Sequence, residues 1–445
     1  MQRIQRKIGN HPLLAVFATV FVDLVGVGIL IPIFPLLVTP GSPDSILPNG
    51  WTITQGVILL GWLSAAYPLA QFIAAPILGQ LSDKYGRKIV LTLSIIGTAL
   101  GYVLFAIGLA TKNIPLLFAS RILDGFTGGN ISVAQAAIAD ISTAKNRAKN
   151  FGLIGMAFGL GFILGPYIGG KLADPSVMSW FNATTPFWFA AGLSVFNVIL
   201  ITLFLPETLK VRKTARIDFS RPFHNVVTAF SRPGLRSVMP TSFLFTAGFT
   251  FFTTFFGVVL AQKFNFSVSN TGDYFAYVGL WIAIAQGVFV GIVAKRFKDY
   301  QVLRVSVFIT AVSLLSYAMI PAGEYRWLFL IPPVLALGNG LTMAFTASLI
   351  SRITPKELQG ESLGINSSVM ALAQAIPAIM AGYIAAIGVN VPIFVASIII
   401  TLAGISFWIF FKPGRDDKYA VPSGAEPLPS ATHRINSQPL QHQLN

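Results

Sequence analysis

Residues 79–88 read Gly79-Gln80-Leu81-Ser82-Asp83-Lys84-Tyr85-Gly86-Arg87-Lys88. This polar segment separates two long apolar runs, 55–78 and 89–110. Each run is at least as long as the about 20 apolar residues that carry a helix across a bilayer. The glycines, having no Cβ, permit a tight turn and a close approach of helices. Asp83 is placed to accept hydrogen bonds from a neighbouring helix N-terminus. Arg87 and Lys88 anchor the turn on the cytoplasmic side.

Outward from this turn the pattern repeats. Further apolar runs cover 13–38, 114–139, 151–173, 184–205, 237–261, 272–294, 301–321, 326–349, 361–387 and 390–411. Their apolar character is continuous rather than alternating, which predicts helices and not the strands of a barrel. The expected fold is all-α and integral to the membrane, with 12 transmembrane helices. Composition agrees: of 445 residues, 54% are hydrophobic and only 11% charged, with a mean hydropathy of +0.70. A soluble domain carries roughly 25% charged residues.

The net charge of +15 would suit a nucleic-acid partner, but its distribution points to topology instead. Twenty-six of the 31 Lys and Arg fall in the N-terminus, the C-terminus and the segments following even-numbered spans. Lys112, Lys171, Lys263 and Arg326 lie on the other side, and Arg121 lies inside span 4. By the positive-inside rule both termini are cytoplasmic, in a multi-pass protein of the cell membrane, and no nucleic-acid partner is expected. Arg3, Arg6 and Lys7 precede the first run in the manner of a signal peptide. That run is too long for one, and it carries Asp23 in its middle.

No cysteine is present, and His11, His224, His433 and His442 all lie outside the apolar runs. This leaves no disulfide, no cysteine- or histidine-held metal and no histidine proton relay within the membrane. No cofactor, metal or enzymatic activity is expected.

The longest internal loop, 206–236, is strongly basic and divides the spans into an N-terminal half, 1–205, and a C-terminal half, 237–411. Residues 412–445 are rich in Pro, Ser and Gln and read as a disordered cytoplasmic tail. The halves repeat at an offset of 212 residues. Gly79 to Asp83 answers to Gly291 to Lys295, Asp140 to Arg352, and Gly155, Gly159, Gly161 and Gly169 to Ser367, Ala371, Ala373 and Ala381. At this offset Asp23, Arg121 and Asp124 meet Leu235, Pro333 and Ala336, so intramembrane charge is confined to the first half.

The turn at 79–88 fits the signature of the major facilitator superfamily. Arg121-Ile-Leu-Asp124-Gly125 in span 4 resembles that family's buried-arginine motif. Gly155, Gly159, Gly165, Pro166 and Gly169 in span 5 resemble its antiporter motif, where glycines four apart bring helices together and proline bends one of them. Within the family the chain looks most like the tetracycline-resistance type of drug–proton antiporter. The carrying residues are Asp23 to Pro32, Gln71 to Pro76, Asp140 with Arg147, and Gln286. The resemblance implies two pseudo-symmetric six-helix halves and export of amphipathic or lipophilic small molecules against inward protons by alternating access. The chain departs from those pumps in lacking acids in spans 3 and 9, where Gly101 and Thr310 stand, and in having Asp124.

A charge at the bilayer centre costs about 2.5–3.5 kcal/mol and needs a partner or a wet cavity. In the family's fold, spans 1 and 4 line the central cavity. Asp23 and Asp124 are therefore proton-coupling candidates, with Arg121 tuning them. Arg121 and Asp124, one helical turn apart, also fit a purely structural pair. Asp83, Arg87, Asp140 and Arg147, with Gly79 and Gly86, form a candidate cytoplasmic gate. Glu207 resembles the acid that closes the first half, and also fits a solvated loop residue. Phe245, Phe249 and Phe252, followed by Phe256, fall at helical spacing in span 7 and suit either a cavity wall or lipid. Gln135, Gln286, Asn339 and Gln374 are further substrate-contact candidates. The partners implied are a small-molecule substrate, protons and the bilayer, with the protein a monomer. The alternatives are a symporter or uniporter for a polar metabolite, or a transporter-like receptor or scaffold.

Overall fold

The computed structural model describes residues 12–142, 147–212, 217–354 and 359–414. The tail beyond 414, the basic residues before 12 and the side chains of Arg147 and Gly155 lie outside the described residues. All regular structure among the described residues is helical. The first half comprises α1 (Pro12–Ile29), the short α2 (Phe34–Leu37), α3 (Ile53–Tyr85), α4 (Arg87–Ala110), α5 (Ile114–Thr127), α6 (Asn130–Ile141), α7 (Arg147–Leu172) and α8 (Thr185–Phe204). After α9 (Arg221–Ser231), the second half comprises α10 (Leu235–Phe264), α11 (Val268–Ile284), α12 (Val290–Ala294), α13 (Asp299–Met319), α14 (Ile331–Arg352), α15 (Gln359–Ala385) and α16 (Val391–Phe410).

Ten helical stretches among the described residues are long and apolar enough to cross a membrane. The other two expected spans correspond to α7 and to α5 with α6. Span 4 is expected as one helix over 114–139, but it breaks at Gly128 and Gly129 into pieces of 14 and 12 residues. Span 8 is likewise interrupted, by a π-helical turn at Ala285–Phe289 that carries Gln286.

Local chemistry sets the helix ends. Thr52 and Gln55 cap α3 reciprocally, Gln55 N donating to Thr52 Oγ1 at 3.4 Å and Thr52 N to Gln55 Oε1 at 2.9 Å. Asn113 and Ser267 cap α5 and α11 through the N–H groups of Leu116 and Asn270. Helix α10 ends at Asn265, a left-handed residue with φ 55°.

The halves repeat in structure as in sequence. Helices α4, α7 and α14 begin and end near the places that the 212-residue offset gives for α13, α15 and the α5–α6 pair. The offset fails for span 1. Leu235 is the first residue of α10, whereas Asp23 lies deep inside α1, so Leu235 is not its counterpart. The connection from α2 to α3 covers 38–52, while α10 passes to α11 in three residues, 265–267. That longer first connection shifts the register of everything before it.

The halves meet along two seams, α3 against α15 and α7 against α11. At the end carrying 38–52, here the far end, backbones touch. Gly61 lies against Gly382, and Gly170 against Gly272, where neither pair has room for a Cβ. One apolar core there draws on both halves, with Ile33, Leu37 and Leu60 from the first and Phe255, Phe256 and Tyr274 from the second. Lys171 reaches across to Asp273 (2.9 Å) and Ser269 (2.7 Å). At the linker end each half keeps a separate core, one around Leu91, Ile95 and Ile138, the other around Leu303, Phe345 and Phe407.

The linker, read from the sequence as a loop, contains the helix α9. Pro222, Asn225 and Ala229 are buried, and Asn225 donates to Ser368 of α15 at 3.0 Å. Phe223 packs edge-on against Phe72 of α3. Gln80 of α3 also holds the backbone of Asp218 (Asp218 N to Gln80 Oε1, 2.8 Å). Hydrogen bonds from Ser220 hold the Asp218 carboxyl below the ordinary carboxylate range. Phe223, Val227 and Phe230 remain 61%, 63% and 42% exposed along one side of α9.

Candidate functional site

Asp23 of α1 and Arg121 and Asp124 of α5 are all buried, at 6%, 5% and 3% exposure. Arg121 forms an ion pair with Asp124 one turn along the same helix. Its guanidinium sits over the rings of Tyr67 (5.2 Å) and Phe105 (5.6 Å), a cation–π enclosure that holds a buried cation out of water. Tyr67 and Tyr102 lie within electrostatic reach of all three charges. Asn130, the first residue of α6, faces Asp23. Asp23 Oδ2, Tyr102 OH and Arg121 Nε have no hydrogen-bond partner among the described residues. The site therefore carries two acids, one base and unsatisfied hydrogen-bonding capacity in a low-dielectric setting.

The break in span 4 belongs to this site. Gln71 of α3 donates to the carbonyl of Gly128 at 2.9 Å and to Tyr67 OH at 3.3 Å. Gly125 lies so close to the Tyr67 carbonyl that a Cβ would collide with it. Thr127 hydrogen-bonds Thr98 (2.9 Å) and the Asp124 carbonyl (3.1 Å). Gly101 of α4 faces Asp124, and a Cβ built on it would lie 3.1 Å from the Asp124 Cβ. Sequence reasoning missed Tyr67, Tyr102, Phe105 and Asn130. Single residues inside apolar runs give no signal until the helices are packed.

At the linker end, Arg87 is the hub. Its guanidinium binds Asp83 (2.7 Å), Asp140 (3.1 Å) and Ser82 (2.5 Å). Thr208 donates to Asp140 at 3.4 Å. Glu207 is exposed in the segment after α8 yet engaged: its carboxylate accepts the backbone N–H of Arg87 (2.9 Å), Lys88 (3.3 Å) and Leu209 (2.9 Å). It thereby caps α4 from a distant segment, where the helix dipole favours an anion. Gly86 makes this cap possible. Its φ of 114° suits glycine, and a Cβ would strike the Glu207 carboxylate. Gly79 faces open space instead, so it makes no close helix approach here.

Gly161, Gly165 and Gly169 press α7 onto the backbone of α1 at Leu24, Val25 and Ile29. Gly159 turns the other way, towards Ala283 of α11. Pro166 packs against Gly28.

Phe245 and Phe252 are buried rather than turned to lipid, and Phe249 is half-buried. The rings form a ladder, Phe245–Phe249 at 6.5 Å, Phe249–Phe252 at 5.8 Å and Phe252–Phe256 at 4.4 Å, with Tyr317 beside it. Phe249, Phe252, Phe256, Phe162 and Asn339 line one slot of about 10 Å³, room for no more than a water molecule. Asn339 is 4% exposed, and its Oδ1 has no partner among the described residues. Gln135, Gln286 and Gln374 are half-buried and do not line this slot.

Paired helical halves, the first of them holding a buried cluster of two acids and a cation, define a membrane carrier rather than an enzyme. The profile of the Major Facilitator Superfamily matches residues 16–376, and the chain belongs to that family. It is 30% identical over 357 residues to the class C tetracycline resistance protein of Escherichia coli, covering 80% of this chain and 85% of that protein. It is 26% identical to the quinolone resistance protein NorA of Staphylococcus aureus, covering 91% of this chain and 98% of that one. Among solved structures, the human organic anion transporter MFSD10 (TETRAN) superposes with a TM-score of 0.68 at 22% identity, over 89% of this chain and 98% of that chain. The protein is a multi-pass membrane transporter for small molecules.

Proposed function

We propose that this transporter exports amphipathic or lipophilic small molecules in exchange for protons. The observation that carries the reading is the buried set Asp23, Arg121 and Asp124, in which an Arg121–Asp124 ion pair is accompanied by a second acid, Asp23, within electrostatic reach of Asp124. Adding or removing a proton changes the net charge of a dry site, and so the cost of each conformation. The relatives named for tetracycline, quinolone and multidrug resistance support export of drug-like compounds. Tetracycline pumps carry an acid in span 3, where this chain has Gly101. Gly101 faces Asp124, so in this reading the acid comes from span 4 instead.

Twelve spans divided at the 206–236 linker, a monomer, and cytoplasmic termini in the cell membrane complete the proposal. With that orientation, the joined far-end core and the separate linker-end cores describe a cytoplasm-facing state. Asp83, Arg87, Asp140 and Arg147 then belong to the cytoplasmic gate. Gly161, Gly165 and Gly169 of α7 provide a smooth rail against α1. Phe245, Phe249, Phe252 and Asn339 form the substrate wall, closed in this state, with Gln135, Gln286 and Gln374 as lesser contacts. A membrane potential of 100 mV supplies about 2.3 kcal/mol per charge, a gradient of roughly fiftyfold per proton.

The test uses everted vesicles holding a pH gradient, read by a pH-sensitive dye, with lipophilic drugs added singly. Drug-dependent collapse that is lost in Asp23→Asn or Asp124→Asn is the expected result. Unchanged collapse and unchanged pH dependence in both variants would remove the proton assignment.

A further inference from the structure

Arg304 lies in the second turn of α13, at the linker end of the second half. Its guanidinium is clamped between two rings, 4.4 Å over Trp408 of α16 and 5.6 Å over Tyr300 one turn earlier on α13. The clamp is the outer end of a longer stack. Tyr300 stacks on Phe411 at 6.1 Å, and Phe411 on Phe407 at 5.1 Å. Phe407 and Phe411 are buried, so the stack rests on the core of this half. Trp408 Nε1 also donates to the Arg304 carbonyl at 3.4 Å, which ties the outer ring to the helix that carries the cation.

The clamp supplies no counter-charge. Among the described residues, no acid lies within ion-pair distance of Arg304. Its Nε is buried and has no hydrogen-bond partner among the described residues. Asp299, five residues earlier on the same helix, is already engaged by Arg352 (3.1 Å) and Ser348 (2.7 Å). The other charges near this end are cations: Lys295, Arg296 and Lys298 precede α13, and Lys412 follows α16. At the equivalent place in the first half α4 carries Thr92, so the repeated fold does not itself require a charge here. A buried donor without a partner calls for an explanation, and a cation in apolar surroundings calls for an anion.

The surroundings identify that anion. Val305 next to it on α13, and Trp408, Ile409 and Phe410 on α16, are exposed large apolar side chains, a surface that the bilayer covers in a chain with this many spans. Trp408 is in the last turn of its helix and Tyr300 in the first turn of its own, where aromatic residues mark headgroup depth. The anion at that depth is the phosphate of a phospholipid, which a guanidinium holds through paired N–H groups. The surplus of cations favours a lipid of net negative charge, an attraction that grows with each Lys or Arg near the surface.

We propose that Arg304, held between Tyr300 and Trp408, binds the headgroup phosphate of an anionic phospholipid in the leaflet at the linker end. The lipid supplies the partner that the protein withholds, and it ties α13 to α16 where both enter the headgroup layer. This assignment is independent of the transported substrate and of the coupling ion.

Full-length protein in detergent is titrated with dioleoylphosphatidylglycerol or dioleoylphosphatidylcholine, which share their acyl chains, and bound lipids are counted by native mass spectrometry. Phosphatidylglycerol is expected to bind about tenfold more tightly, the lower range for a hydrogen bond to a charged group. Arg304→Gln removes that preference. Arg326→Gln, which deletes an exposed cation at the far end, leaves it intact. Trp408→Leu keeps the charge but opens the clamp, and lowers the preference about threefold. Thermal unfolding of the same samples gives a second readout: phosphatidylglycerol raises the Tm of the native protein and not that of Arg304→Gln, and the Tm without lipid shows that each variant is folded. An undiminished preference in Arg304→Gln overturns the proposal. An equal rise in Tm with inorganic phosphate makes this a site for a free anion and overturns the lipid assignment. Full preference retained in Trp408→Leu means that charge alone attracts the lipid, and overturns the clamped site.

Discussion

Gly101 and Asp124 face each other across the contact of α4 with α5, close enough that a Cβ on Gly101 would stand 3.1 Å from that of Asp124. A carboxylate grown from either helix would enter the same buried space beside Arg121. The proposed coupling site is thus defined by a volume shared between two helices rather than by one sequence position.

Position 101 is therefore expected to replace position 124. Asp124→Gly abolishes drug-dependent collapse of the pH gradient in everted vesicles, and Gly101→Asp added to it restores a measurable part. Gly101→Asp alone crowds Asp124 and lowers activity. Absence of any rescue, with the double variant folded, would separate the two positions functionally.

Arg121 is held by Asp124 and by two aromatic rings. Arg121→Leu strands a buried carboxylate, at a cost of about 3–5 kcal/mol, and lowers the Tm of the detergent-solubilised protein. Arg121→Leu with Asp124→Leu recovers most of the Tm but no transport. A double variant no more stable than the single one would mean that the pair is not the dominant contact of Arg121.

Glu207 caps α4 through two consecutive backbone N–H groups. Glu207→Ala is expected to cost about 1–2 kcal/mol, the upper range for loss of an N-terminal cap. Gly86→Ala costs more, because it strains the backbone and displaces the carboxylate together. Thermal unfolding of the three proteins side by side checks this order.

Asn339 offers a buried carbonyl to the aromatic slot. Asn339→Leu is expected to raise KM roughly fivefold for an aromatic substrate carrying an N–H donor, the worth of about one hydrogen bond. It should leave KM for a substrate without a donor within twofold. Equal effects on both substrates would place Asn339 outside the contact.

Helix α9 divides into three faces. Pro222, Asn225 and Ala229 meet the protein, Phe223, Val227 and Phe230 form an exposed apolar strip, and Arg221, His224 and Ser231 point to solvent. Such a helix rests in the headgroup layer beside its bundle. A fluorophore on Phe223→Cys or Val227→Cys should be quenched by brominated lipid, and one on His224→Cys by aqueous iodide. The reverse pattern would put the apolar strip in water.

What the sequence settled by itself was the solvent, the helices and the kinship. Long apolar runs cannot be dressed for water, and a lopsided distribution of Lys and Arg leaves little freedom of topology. The turn at 79–88 and the chain's buried charges were legible because charge is rare and costly in such runs, so each instance stands out. Tertiary structure decided what no linear pattern carries. The linker's helix escaped notice because α9 is short and mixed in character, its apolar strip covering only one side. The break at Gly128 and Gly129 was invisible because glycine is also common in straight packed spans, and only the Gln71 amide shows what receives the freed carbonyl. The failure of the constant offset at Asp23 came from a longer connection elsewhere. Tyr67 and Glu207 acquired roles only from partners scores of residues away, and Phe105 from Arg121 on the next helix. Burial selects which residues are inside, but contact between helices selects which of them meet.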